Sequence, residues 1–115
     1  MKVRIKDEGG HVKIYIGSDA VGYFDCYTAH ARDAPNMPMG PNDVYLRYVQ
    51  VDPEYRGTGV ADVAYLQLEA LLKKRGLKTI VTWPMPFREE WCERNGYRPS
   101  PPSRRNPFMW EKNIG

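Results

Sequence analysis

The chain has 115 residues, 42% hydrophobic and 27% charged, with a formal net charge of +3. That length suits one domain, residues 1–115, able to bury enough apolar surface to fold without metal or disulfide staples. The mild charge falls short of the basic stripe of a dedicated nucleic-acid binder, the start MKVRIKDEGG lacks a secretory apolar stretch, and no run reaches membrane-spanning length.

Val3 and Ile5 alternate with Arg4 and Lys6, predicting a half-buried strand that stops at Glu8-Gly9-Gly10. Val12, Ile14 and Ile16 alternate with Lys13 and Tyr15 before the turn Gly17-Ser18-Asp19. Residues 20–27 make a third strand with Gly22 marking a bulge, so an antiparallel meander opens the chain. Residues 29–43 hold Pro35, Pro38, Pro41, Gly40 and two Asn without periodicity, and a loop of that length is more often functional than decorative. Residues 44–51 (VYLRYVQV) form the strongest strand, ended by Asp52-Pro53-Glu54. Val60, Val63, Ala64, Leu68, Leu71 and Leu72 then recur at helical spacing. Asp62 in the first turn, Lys73, Lys74 and Arg75 in the last and Gly76 as a stop agree with the helix dipole. Residues 77–83 return as a strand, and Pro86 suits the start of a short helix over residues 87–94, closed by Asn95-Gly96. Tyr97-Arg98 and residues 108–112 are two last short strands around a Pro- and Arg-rich loop. Cys26 and Cys92 form no CxxC or Cys/His ligand pattern, so no metal is expected and both read as free thiols in a reducing, cytoplasmic setting.

The chemical signal lies where the central strand meets the long helix, Val51-Asp52-Pro53-Glu54-Tyr55-Arg56-Gly57-Thr58-Gly59-Val60-Ala61. A glycine-bearing turn that opens a helix gathers unpaired amides at one point, and a diphosphate is their natural guest. The Gly-Lys-Ser/Thr ending of a nucleoside-triphosphate loop is absent. The dinucleotide fingerprint needs three glycines and an early parallel unit, which this chain lacks.

Arg56, Gly57, Thr58, Gly59, Val60 and Ala61 match Gln/Arg-x-x-Gly-x-Gly/Ala, and the segment resembles motif A of the GNAT acetyltransferase superfamily. Trp91-Cys92-Glu93-Arg94-Asn95-Gly96-Tyr97 is similar to that family's second signature, aromatic-Tyr-Glu-Lys-x-Gly-aromatic, with one helix and one strand between the two. The resemblance implies an α+β fold with a mixed, mostly antiparallel sheet of about six to seven strands and two helices. It also implies acetyl-coenzyme A as cosubstrate. Backbone groups of Val49, Gln50 and Val51 would pair with the pantetheine arm, amides of Arg56, Gly57, Thr58, Gly59, Val60 and Ala61 would hold the pyrophosphate, and the strands 44–51 and 77–83 would splay to admit the arm.

The implied reaction is attack of an amine on the thioester, which needs a base, an oxyanion donor near a strand bulge, and an acid for the thiolate. Asp43, at the start of the central strand, has the place where relatives put a carboxylate base; its plain reading is a loop-end cap. Cys92 replaces the Tyr that serves many relatives as acid; its thiol is the candidate proton donor there, and its plain reading is packing. Glu89, Glu90, Glu93, His11 and His30 are lesser candidates, and Tyr45, Tyr48 and Tyr97 are phenols near the cleft. Relatives usually carry one or two helices between their first strands, where this chain shows only the Pro-rich loop. The acceptor side is therefore open, or completed by a partner subunit, as in a homodimer, or by the substrate itself. An open site favours a protein lysine or terminal amine over a small molecule. Arg98, Arg104 and Arg105 border it. Two alternatives stay open: a GNAT-fold interaction module with weak or no catalysis, and a protein acting on a nucleoprotein.

Overall fold

A computed structural model of the chain describes residues 2–29, 39–84, 89–101 and 108–115. Seven strands form one sheet in the order β1-β2-β3-β4-β5-β7-β6. They are β1 (Val3–Glu8), β2 (His11–Ile16), β3 (Asp19–Thr28), β4 (Asp43–Val51), β5 (Thr79–Thr82), β6 (Arg98–Pro99) and β7 (Trp110–Asn113). Two helices accompany them, α1 (Val60–Lys74) and α2 (Glu89–Arg94). Among the described residues only β4 and β5 pair in parallel. Parallel neighbours need a crossover, and α1 supplies it. The architecture is the mixed, mostly antiparallel sheet with two helices that the sequence implied. Pro86 and Phe87, expected to start α2, lie outside the described residues.

The tight turn at Gly9 and Gly10, both at positive φ, joins β1 directly to β2. The expectation that the Pro-rich loop replaces the family's missing helices is corrected here. This two-glycine turn stands between the first strands, and the loop instead links β3 to β4.

Val60, Ala64, Tyr65, Leu68 and Leu72 bury one stripe of α1 against Val12, Ile14, Phe24, Val44, Leu46 and Ile80. Val63, read as part of that stripe, is 45% exposed, because the helical period turns it to the flank with Leu66. Gln67 ties α1 to the sheet edge by donating to the Val3 carbonyl at 2.7 Å. Each helix ends on a glycine in the left-handed region with paired closing bonds: Gly76 N to Lys73 O and Leu77 N to Leu72 O for α1, Gly96 N to Glu93 O and Tyr97 N to Cys92 O for α2. Trp91 packs edge-on to Tyr65 at 5.0 Å, so α2 lies on the same side of the sheet as α1.

Two bulges shape the meander. On β3 the extra residue is Val21, next to Gly22, where a Cβ would stand 2.2 Å from the Gln50 carbonyl oxygen. On β4 the extra residue is Arg47: Asp25 pairs with Tyr48 and Cys26 with Leu46, leaving Arg47 outside the register.

Candidate active site

The central strands part just after this second bulge begins. Residues Asp43, Val44, Tyr45 and Leu46 pair with Thr79, Ile80, Val81 and Thr82, and there β5 ends. The Thr82 hydroxyl, fully buried, donates to the Leu46 carbonyl at 2.7 Å and closes the apex of the opening. Beyond it β4 runs on to Val51 with no strand on that side among the described residues.

The ladder to β3 decides which β4 groups face the opening. Asp52 N donates to Val21 O at 2.8 Å, and hydrogen-bonded positions alternate in an antiparallel pair. Gln50 therefore turns its backbone toward β3, while Val49 and Val51 turn theirs toward the opening. Of the three residues expected to pair with a pantetheine arm, Val49 and Val51 are placed to do so. The Gln50 side chain lies on the opposite face of the sheet from the helices, where its Oε1 accepts from the Tyr23 hydroxyl at 2.6 Å. The Val51 carbonyl already accepts from Arg56 Nε at 3.1 Å, a contact that pins the turn to the strand.

The turn is built by Pro53–Tyr55, a single 3-10 turn, followed by Gly57 at φ +77 and Gly59 at φ +84, the N-cap of α1. Either glycine would leave a Cβ in open space, with nothing within 4 Å. Arg56 N donates to Pro53 O at 3.2 Å and Thr58 N to Tyr55 O at 3.4 Å, so these two amides serve the turn itself. Among the described residues no acceptor bonds the amides of Gly57, Gly59, Val60, Ala61 and Asp62. The first α1 bond is Val63 N to Gly59 O. Free donors at a helix start form an anion cradle, with Asp62 extending the predicted run by one residue. Val51, Tyr55, Trp91 and Arg94 wall a cavity of about 260 Å³ around this turn. Arg94 also meets the Asp62 carboxylate at 3.6 Å across its mouth. A diphosphate fits this donor set.

The other sequence candidates separate. Asp43 stands at the start of β4, and its Oδ2 accepts from Gly40 N at 2.8 Å, a loop-closing contact. Three residue steps along the strand, about 10 Å, separate it from the Leu46 apex. Cys92, the candidate acid, is fully buried in the core cluster. Tyr97 is buried too, its hydroxyl 2.6 Å from that of Tyr65. Burial raises both phenols well above their usual value, with Glu69 adding to the effect on each. Tyr45 and Tyr48 point to the face away from the helices, as does His11, and Glu89, Glu90, Glu93 and Arg98 are exposed. His30, Arg104 and Arg105 lie outside the described residues.

A larger cavity of about 430 Å³ opens at the far end of the sheet, lined by Gly10, Cys26, Val44, Leu72 and the ion pair of Asp7 with Arg75 at 2.6 Å. In it burial pushes the Cys26 thiol up to about 12, too high for a thiolate near neutral pH. Among the described residues no group of three or more His, Cys, Asp or Glu is placed to hold a metal, and no helix is long and apolar enough to cross a membrane. Both cysteines are free thiols.

Comparison with known proteins agrees with this geometry. The Acetyltransferase (GNAT) family model matches residues 2–98, and the chain belongs to that family. A search of curated proteins finds no match. Among solved structures, the PaiA N-acetyltransferase of Thermoplasma acidophilum, in complex with coenzyme A, superposes with a TM-score of 0.62 at 16% identity, covering 90% of this chain and 59% of that one. Tetrahymena GCN5 gives 0.68 at 10% identity, covering 92% and 69%. The ribosomal-protein-S18-alanine N-acetyltransferase of Escherichia coli gives 0.63 at 14%, covering 91% and 68%. The chain thus spans about 59% to 69% of the lengths of these three structures.

Proposed function

We propose that the chain is an N-acetyltransferase that moves the acetyl group of acetyl-coenzyme A to a primary amine, on a protein lysine or terminus rather than a small molecule. One observation carries this reading. The β4 edge parts from β5 and leads directly into the free amides at the start of α1, so one extended ligand with a pyrophosphate can lie along both.

In this reading Val49 and Val51 bind the arm through backbone groups, and Gly57 with residues 59–62 hold the pyrophosphate. Thr82 fixes the apex, so the thioester, when bound, presents its carbonyl to the backbone beside the Arg47 bulge. Asp43 accepts the amine's proton. At about 10 Å from the apex it does so through water. The thiolate of coenzyme A leaves without a phenol at position 92. What supports a protein acceptor is that the first strands are joined by a two-residue turn and, among the described residues, raise no helical wall. The free thiols support a reducing compartment, the cytoplasm.

Thiol release from acetyl-coenzyme A, measured with lysine peptides and with small amines, tests the assignment. Faster release with peptides is expected, and a preference for small amines would overturn the acceptor class. A second reading, a module that binds acetyl-coenzyme A without turnover, draws on the buried thiol at Cys92. Thermal stabilisation by the cosubstrate with no release on any amine would select it.

A further inference from the structure

The sheet face opposite the helices carries chemistry that the acyl-transfer site does not use. Register places Lys6, Lys13, Tyr23 and Gln50 in one row across β1, β2, β3 and β4, and Glu8, His11, Asp25 and Tyr48 in the next. Arg4 sits beside Tyr15. Both helices pack on the other side, through the core around Phe24 and Tyr65.

Lys6 and Lys13 stand directly opposite each other, an arrangement that destabilises a strand pair. Among the described residues neither has a carboxylate within ion-pair distance. The two acids of these two rows lie against neighbouring side chains. Glu8 accepts from the Tyr15 hydroxyl at 2.6 Å, and Asp25, with a side chain 2% exposed, lies 3.1 Å from His11 Nε2 and 3.8 Å from Arg47. Asp25 Oδ1 nevertheless has no hydrogen-bond donor among the described residues. The face is therefore a cationic surface with a local charge conflict, which an added anion would relieve.

The rings beneath are occupied as well. Arg4 lies 4.6 Å from the centre of Tyr15, Lys13 5.1 Å from Tyr23 and Arg47 5.5 Å from Tyr48. Stacked bases would have to displace those cations, whereas carboxylates would meet them from above. Three strand spacings, about 14 Å, separate Lys6 from β4, whose far edge is the acyl-transfer opening.

From this geometry we infer that the β1–β4 face docks an acidic polypeptide segment of the acceptor protein, laid across the strands so that its amine arrives at the β4 opening. The inference rests on the proposed transfer to a protein amine and adds to it the charge of the sequence around that amine.

Binding of a fluorescent, glutamate-rich peptide bearing one lysine, in the presence of coenzyme A, tests it with wild type and Lys6→Glu. That substitution converts the opposed lysines into an ion pair, so the melting temperature should hold or rise. Peptide affinity should nevertheless fall about tenfold and depend steeply on salt. Equal affinity for the variant, or no binding by wild type, overturns the docking face. Tighter binding of single-stranded RNA than of the peptide, or a dimer that Lys6→Glu dissolves, assigns the face to another occupant and overturns it equally. The transfer reading is judged apart. Peptide that binds but is never acetylated sinks transfer and leaves docking, while acetylation of the peptide undiminished in Lys6→Glu leaves transfer and sinks docking.

Discussion

Gly59 holds φ +84 with open space where a side chain would project, so what forbids a larger residue there is backbone strain and the ligand's own volume. Gly59→Leu should weaken acetyl-coenzyme A at least about tenfold by calorimetry; an unchanged affinity removes the turn from the site. Asp43→Asn keeps an oxygen to accept from Gly40 N, so the fold should survive while the rate falls about tenfold to a hundredfold and its pH profile moves. An unmoved profile leaves Asp43 as a loop cap alone. The buried tyrosine pair and Cys26 make a different prediction. Their folded pKa values lie above the unfolded ones, near 10.0 for the phenols and 9.0 for the thiol. Their contribution to stability is complete below about pH 9 and is lost as pH rises, because only the unfolded chain then ionises freely. Melting temperature measured from pH 8 upward should therefore decline in the alkaline range, and a flat profile would contradict the burial of these groups.

At the scale of elements, the central opening depends on one hydroxyl. Thr82→Val keeps the shape but leaves the Leu46 carbonyl buried without its donor, at a cost of about 1–3 kcal/mol. Denaturant unfolding should show that loss together with a lower turnover, and a variant as stable as wild type would place the apex elsewhere. Much of this level was legible in the sequence. The 3.6-residue stripe gave α1 its start and its stop, and period-two alternation gave β1, β2 and β4 nearly to the residue. The phosphate turn showed because glycine spacing before a helix is a local property. The Arg47 bulge and the Thr82 bond were not legible, since each depends on the register between strands far apart in sequence. Asp25 stayed hidden for the same reason: its burial is created by His11, Arg47 and Tyr48 from neighbouring strands.

Across the whole molecule, the two faces of one sheet divide the work. One is covered by α1 and α2 and carries the core, and the other presents tyrosines and cations along strands that end at the proposed transfer site. The short turn at Gly9 and Gly10 joins β1 to β2 directly and leaves that second face without a helix among the described residues. In the proposed complex acetyl-coenzyme A lies along the β4 edge and into the start of α1. Amide chemical shifts recorded while acetyl-coenzyme A is titrated into labelled protein test it most directly. The largest shifts should fall on Val49, Val51, Gly57, Gly59, Val60 and Ala61. Shifts confined to the cavity around Cys26 and Arg75, or none at all, would contradict it.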